Sequence, residues 1–392
     1  MTNYHYLIVG GGMTAAAAVD GIREVDASGS IGMICTETDA PYNRPPLSKS
    51  LWKGKELDTI WRKTEDKKVN LHLGRTVREI LPILKRVLDD KGEIYTYQKL
   101  LLATGGRPRR LPFGDDCIVY FRSLADYRRL RKMAETRRRF AVIGAGFIGS
   151  EIAAALALNG REVTMIFPGA DIGDRVFPRG LAQFVSDYFR KKGVNLLAGE
   201  KITGSKASGN QCVLSTESGQ EIHVDGIVAG IGIEPNVELA KWADLKVDNG
   251  IVVDEFLRAS RSDVFAAGDV ASFYSTELRK HIRVEHEDNA NTMGRLAGRN
   301  MAGQSEPYHH LPSFYSDLFD LGYEAVGELD SRLETFADWK TPNKEGVIYY
   351  LQNERVRGVL LWNVWGKVDP ARQLIAEPGP FSHKQLKGSI SG

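Results

Sequence analysis

Residues 4–9 (YHYLIV) form a short apolar run that stops at Gly10, Gly11 and Gly12. An alanine-rich stretch, 15–22, follows, and 31–36 (IGMICT) reads as a second strand with Glu37 just past it. Strand, glycine turn, helix and strand, in that order, are the context that a dinucleotide fingerprint requires. The pattern returns at 139–143 (RFAVI), followed by Gly144, Gly146 and Gly149, a predicted helix over about 150–159 stopped by Gly160, and the run 163–167 (VTMIF). One such unit alone is weak evidence; two, each between a strand and a helix, predict two Rossmann-type nucleotide-binding units.

The residue types have physical reasons. Gly10 and Gly144 let the chain turn sharply, and Gly12 and Gly146 let the backbone approach a pyrophosphate. Ala15 and Gly149 let helix and strand pack closely, and the pyrophosphate meets unpaired N–H groups at the helix start. The alternative is a glycine-rich turn without a ligand. Two further strand-and-glycine elements end at Gly105 and at Gly268-Asp269. Ligands of parallel sheets collect beyond the carboxyl ends of strands, so Asp269 is a candidate for a flavin ribityl hydroxyl, with a helix N-cap as the alternative.

Pro307 marks a hinge, and beyond it the periodicity changes to short strand-like runs at 325–329, 335–337, 346–351 and 356–361, with a helix near 370–375. The tail from about Pro378 reads as loosely ordered.

Of 392 residues, 42% are hydrophobic, enough for two or three cores, and 40 are glycine, which suits several tight turns against a ligand. The formal net charge of +2 calls for neither nucleic acid nor a membrane surface. Cys35, Cys117 and Cys212 have no CxxC spacing, which removes the obvious dithiol of a thiol–disulfide reductase. No metal motif, nucleophile elbow or span-length apolar run is present, so no metal is expected and a cytoplasmic location is the default. The arginines 128, 129, 131, 137, 138 and 139 read as a solvated helix face, with an acidic ferredoxin or nucleotide phosphates as alternative partners.

Several longer strings narrow the picture: PYNRPPLSKSLW (41–52), LLATGGRPRRL (101–111), VIGAGFIGSEIAAAL (142–156), GIGIEPNVELA (230–240), RSDVFAAGDVASFY (261–274), RVEHEDNANTMGRLAGRNMAG (283–303), FYSDLFDLGYEAVG (314–327) and GVLLWNV (358–364). On these the chain resembles the apoptosis-inducing factor branch of the FAD-dependent pyridine nucleotide oxidoreductases, related to bacterial ferredoxin reductases. The resemblance implies an α/β, glutathione-reductase-like fold: two Rossmann-type domains plus a small C-terminal α+β domain. It places an FAD-binding domain at 1–112 and 245–311, an NAD-binding domain at 113–244 and a flavin-covering domain at 312–392.

It further implies FAD contacts at Gly12, Glu37, Arg44, Lys49, Val77, Asp269, Glu285 and His286. Glu37 would hold the adenosine ribose, Arg44 would reach the pyrophosphate, and Val77 would meet adenine through its backbone. Phe147 and Glu151 would stand closest to the nicotinamide, and Lys49 and Glu151 would pair beside the flavin N5. Tyr315 stands where the family places a tryptophan. Surface or capping roles are the bland alternatives for Lys49, Glu151 and His286. No arginine follows the 163–167 strand, and Asp171 is the acidic residue expected to select NADH over NADPH there.

The expected activity is hydride transfer from NADH to FAD, with electrons passed to an acceptor left open between a small iron–sulfur protein and a quinone. Two alternatives stand beside it. One is a dedicated reductase of a [2Fe–2S] ferredoxin or rubredoxin. The other is an NADH-gated interaction module that changes oligomeric state, such as a redox-linked homodimer. Altered residues at 286–290 argue against a nucleic-acid or cell-death role.

Overall fold

A computed structural model describes residues 1–114, 117–209 and 211–390. The chain forms two compact units. The first comprises Met1–Arg44, Leu57–Arg107 and Glu234–Pro312; the second comprises Pro45–Glu56, Pro108–Ile233 and Ser313–Gly392.

In the first unit, Thr2–Val9 pairs in parallel with Ile31–Cys35 on one side and Ile94–Leu102 on the other. Val69–Leu73 extends one end of this sheet, Arg86–Asp89 and Val77–Leu81 the other, and Val264–Ala266 also pairs with Ile94–Leu102. Leu100, Leu101 and Leu102 are all buried, the mark of a parallel strand covered on both faces. The helices Met13–Val25 and Glu287–Met301 cross at close range through glycines. A Cβ on Gly298 would lie 2.0 Å from the Ala18 carbonyl oxygen, and one on Gly21 1.9 Å from that of Arg295.

The second unit holds a parallel sheet in the order Asn195–Ala198, Glu162–Phe167, Arg139–Ile143, Gly226–Ala229, Ile118–Tyr120. It also holds an antiparallel sheet in the order Ser313–Leu318, Leu321–Gly327, Arg355–Trp362, Glu345–Gln352, Glu334–Thr341. The α/β class expected from the periodicity is what forms. The segment Pro45–Glu56 packs within this second unit.

Three local readings change. The second fingerprint helix starts at Phe147, three residues before the predicted start, because Gly146 adopts the N-cap conformation. The terminal sheet begins with a strand, Ser313–Leu318, whose mixed residues carry no clean alternation. The tail from Pro378 is docked: Ser382 and Gln385 form a capping box on a short helix, Leu386 and Ile390 are buried, and Gly388 N–H donates to Asp338 at 2.7 Å.

The arginine cluster stays half-buried to exposed, and several of its members make contacts within the chain. Arg139 pairs with Asp225 at 3.4 Å, Arg138 with Glu162 at 2.7 Å, and the Arg131 guanidinium lies 5.2 Å from the Trp52 ring centre. Among the described residues no helix is long and apolar enough to cross a membrane.

Candidate functional site

The first fingerprint ends a strand and starts a helix without a side-chain cap. Gly12 is the N-cap of Met13–Val25, in extended conformation, and as a glycine it brings no capping side chain to the first N–H groups. Those groups are left for an anion. A Cβ on Gly12 would meet its nearest neighbour, Arg44 Nη2, only at 3.9 Å, so the approach is open. Gly10 has φ +128°, and a Cβ there would sit 2.1 Å from the Ala103 carbonyl oxygen. Ala15 is fully buried against the sheet.

Glu37 and Arg44 meet each other: Arg44 Nη2 donates to Glu37 Oε1 at 2.5 Å. Tyr42 closes the triangle, donating its hydroxyl to Glu37 Oε2 at 2.6 Å and accepting from Arg44 Nη1 at 3.1 Å. Tyr42 escaped the sequence reading because a tyrosine in a proline-rich segment has no distinctive spacing. Val77 opens the strand Val77–Leu81 and is buried. Asp269 lies in the turn Gly268–Val270 beyond Val264–Ala266, and its carbonyl accepts from Arg283 Nη1 at 3.0 Å. Glu285 pairs with the same arginine at 2.7 Å, and His286 is the N-cap of Glu287–Met301.

The second fingerprint repeats the arrangement. Gly146 N-caps Phe147–Leu158 without a side-chain bond, and nothing lies within 4 Å of where its Cβ would be. Gly144 has φ +100°, and a Cβ on Gly149 would lie 2.1 Å from the Gly144 carbonyl oxygen.

One turn into that helix, Glu151 is buried, its side chain 2% exposed, and paired with Lys49, 12% exposed, at 2.6 Å. Two hydroxyls complete the carboxylate's shell. Ser48 Oγ donates to Oε2 and Ser316 Oγ to Oε1, each at 2.6 Å. A buried carboxylate needs such donors, because desolvation is repaid only when the pairing is complete. The strand Ser313–Leu318 delivers three consecutive residues here. Phe314 packs 5.3 Å from Phe147, Tyr315 lies 5.1 Å from Lys49 Nζ, and Ser316 bonds Glu151. Ser48 and Ser316 were missed because serines carry no motif, and only tertiary folding brings them to one carboxylate. Removing either hydroxyl, in Ser48→Ala or Ser316→Ala, is expected to cost about 1–3 kcal/mol of stability, since each bond goes to a charged acceptor. Denaturant unfolding checks this; an unchanged midpoint in both variants would show that the hydroxyls contribute nothing.

Two of the cysteines, Cys35 and Cys212, are held as thiols. Burial pushes Cys35 up to about 12. Cys212 is likewise pushed up to about 12, by burial and then by the neighbouring Cys117 thiol, which folding brings beside it. Thiols so raised are poor nucleophiles near neutral pH.

The pyridine nucleotide-disulphide oxidoreductase family matches residues 4–294. The chain belongs to this family. The C-terminal family of apoptosis-inducing factor matches 297–345 and 338–377. Apoptosis-inducing factor 1 of Dictyostelium discoideum is 35% identical over 95% of this chain and 78% of its own length. The ferredoxin–NAD(+) reductase component of the anthranilate 1,2-dioxygenase system of Burkholderia cepacia is 33% identical over 99% of this chain and 98% of its own. Among solved structures, the covalent putidaredoxin reductase–putidaredoxin complex superposes with a TM-score of 0.91 at 29% identity, over 98% of this chain and 96% of that one.

Within this family the chain is an FAD-dependent NAD(P)H oxidoreductase. Its residues fit two dinucleotides: two glycine-capped helix starts without a side-chain cap and with open approaches, one in each unit.

Proposed function

We propose that this chain takes hydride from NADH onto bound FAD and passes the electrons to a small iron–sulfur protein of the ferredoxin or rubredoxin kind. The observation that supports it is the buried Lys49–Glu151 pair, held by two serines one turn from the glycine-capped start of the second fingerprint helix. Bound FAD supplies the two-electron acceptor. The chain's own residues bind, orient and polarise. Gly12 and Gly146 leave N–H groups for the pyrophosphates, with Gly10, Ala15, Gly144 and Gly149 allowing the close packing. Glu37, Arg44, Val77, Asp269, Glu285 and His286 serve the FAD side in this reading. Phe147 forms the apolar wall on the nicotinamide side. The Lys49 ammonium favours negative charge developing nearby, and Glu151 keeps it in place.

The relatives named above support the choice of acceptor, and a cytoplasmic location belongs to the same proposal. Anaerobic stopped-flow mixing tests it. The NADH-reduced protein is mixed with a [2Fe–2S] ferredoxin, a rubredoxin, a quinone and oxygen. At least one iron–sulfur acceptor is expected to reoxidise it ten-fold or more faster than quinone or oxygen. Equal or faster rates with quinone would make quinone the acceptor and leave the NADH half-reaction intact. A mass that doubles on anaerobic NADH addition, with no preference among acceptors, would favour the redox-linked homodimer instead.

A further inference from the structure

The selection of NADH has a structural anomaly at its centre. An acidic side chain just beyond the second strand of a dinucleotide unit accepts from the adenosine ribose hydroxyls and repels a 2'-phosphate. In the second fingerprint that strand is Glu162–Phe167, and the residues after it are Pro168, Gly169 and Ala170, none acidic. Yet a carboxylate is there. If a Cβ were built on Gly169, its three nearest atoms would all belong to the Asp174 carboxyl group: Oδ2 at 2.2 Å, Cγ at 2.9 Å and Oδ1 at 3.0 Å. The side chain of Asp174 fills the space where one on Gly169 would begin.

The loop is built to hold it. Ala170 N–H donates to Asp174 Oδ2 at 3.1 Å. Gly173, with φ +70°, turns the chain back, and its N–H donates to the Ala145 carbonyl at 3.2 Å, pinning the loop to the glycine turn of the fingerprint. Ile172 is buried, and its N–H donates to Ser186 Oγ at 2.9 Å. The Gly169 carbonyl accepts from Gly199 N–H at 2.9 Å, so position 169 is fixed as well. Among the described residues no ion pair takes up the Asp174 charge. Asp171 contributes its carbonyl, which accepts from Asp174 N–H at 3.4 Å.

We propose that Asp174, not Asp171, is the residue that discriminates between NADH and NADPH: its carboxylate is folded back to the strand end to take the place of an acidic residue missing at position 169. This rests on the dinucleotide reading of the second fingerprint given above. Glycine at 169 is then required, because any side chain there would displace the carboxylate.

The test uses the FAD-loaded protein. Initial rates give kcat/KM for NADH and NADPH, and a second readout, independent of turnover, compares binding of AMP and adenosine 2',5'-bisphosphate to the oxidised protein. Asp174→Asn keeps an acceptor for Ala170 N–H and removes the charge. It is expected to shift the NADH/NADPH ratio of kcat/KM by roughly ten-fold or more towards NADPH, and to tighten the bisphosphate relative to AMP. The double variant Gly169→Asp, Asp174→Ala places a carboxylate directly at the strand end and is expected to restore the wild-type ratio. A ratio unmoved by Asp174→Asn, or the same shift from Asp171→Asn alone, would overturn the assignment. A wild type that prefers NADPH would end the NADH reading; a further move towards NADPH in Asp174→Asn would still support the assignment.

Discussion

Lys49→Ala is expected to slow reduction of the flavin by NADH by roughly ten- to a thousand-fold, equivalent to about 1.4–4 kcal/mol of lost transition-state stabilisation. FAD should stay bound, because the fingerprint contacts lie in the other unit, at Gly12, Glu37 and Arg44. The size of the effect follows from the burial of the pair. With the lysine gone, Glu151, 2% exposed, keeps only Ser48 and Ser316 as named donors and becomes an uncompensated anion. That anion opposes negative charge arriving nearby, so the loss is double: a favourable cation is removed and an unfavourable charge is exposed. Glu151→Gln should act in the same direction but more weakly, and the double variant should cost less than the sum, since the second change removes the stranded charge. The measurement is the first-order bleaching rate at saturating NADH under anaerobic mixing, with FAD occupancy read from the visible spectrum. A full rate at full occupancy in Lys49→Ala would remove the lysine from the chemistry. Simple additivity would mean that both residues act without acting as a pair.

The contrast between what was legible and what was not follows from the range over which each feature is determined. Both fingerprints could be read because their glycines are needed for local reasons. Gly10 and Gly144 take positive φ and Gly12 and Gly146 cap helices, within a few residues of a strand that is apolar throughout. Lys49 and Glu151 could be named from the resemblance, but nothing local marks the two serines that complete their shell. Asp174 is the sharpest case. In sequence, Asp171 stands closer to the strand and looks the better candidate; only the turn at Gly173 brings the later carboxylate back to Gly169. The tail shows the same limit. Its Pro, Gly, Ser and Lys content favours disorder, yet Leu386 and Ile390 find apolar sites that the composition cannot reveal.

Gly298→Ala is expected to destabilise the first unit by about 3 kcal/mol or more and to weaken FAD binding with it. On helix propensity alone the change would be favourable by roughly 1 kcal/mol, since alanine outranks glycine in a helix interior. The crossing of the two helices reverses the sign. The new Cβ would lie 2.0 Å from the Ala18 carbonyl oxygen, 2.8 Å from its carbon and 2.9 Å from Ile22 N, and all three are backbone atoms that no rotamer change can move. Relief requires the helices Met13–Val25 and Glu287–Met301 to separate. Separation undoes the close backbone approach at Gly294, where a Cβ would lie 2.4 Å from the Thr14 carbonyl oxygen, and at Gly21 on the facing helix, where one would lie 1.9 Å from that of Arg295. The consequence reaches the cofactor because Met13–Val25 is the helix whose uncapped start, at Gly12, is read as the FAD pyrophosphate site. A shift of that helix moves the N–H groups away from the anion. For a unit of this size the loss corresponds to a fall in Tm of roughly 6–12 °C. Thermal unfolding with and without excess FAD measures both parts. A wild-type Tm together with wild-type FAD retention would mean that the helices do not pack backbone to backbone. A lowered Tm that excess FAD restores in full would place the effect at the cofactor site rather than in the helix crossing.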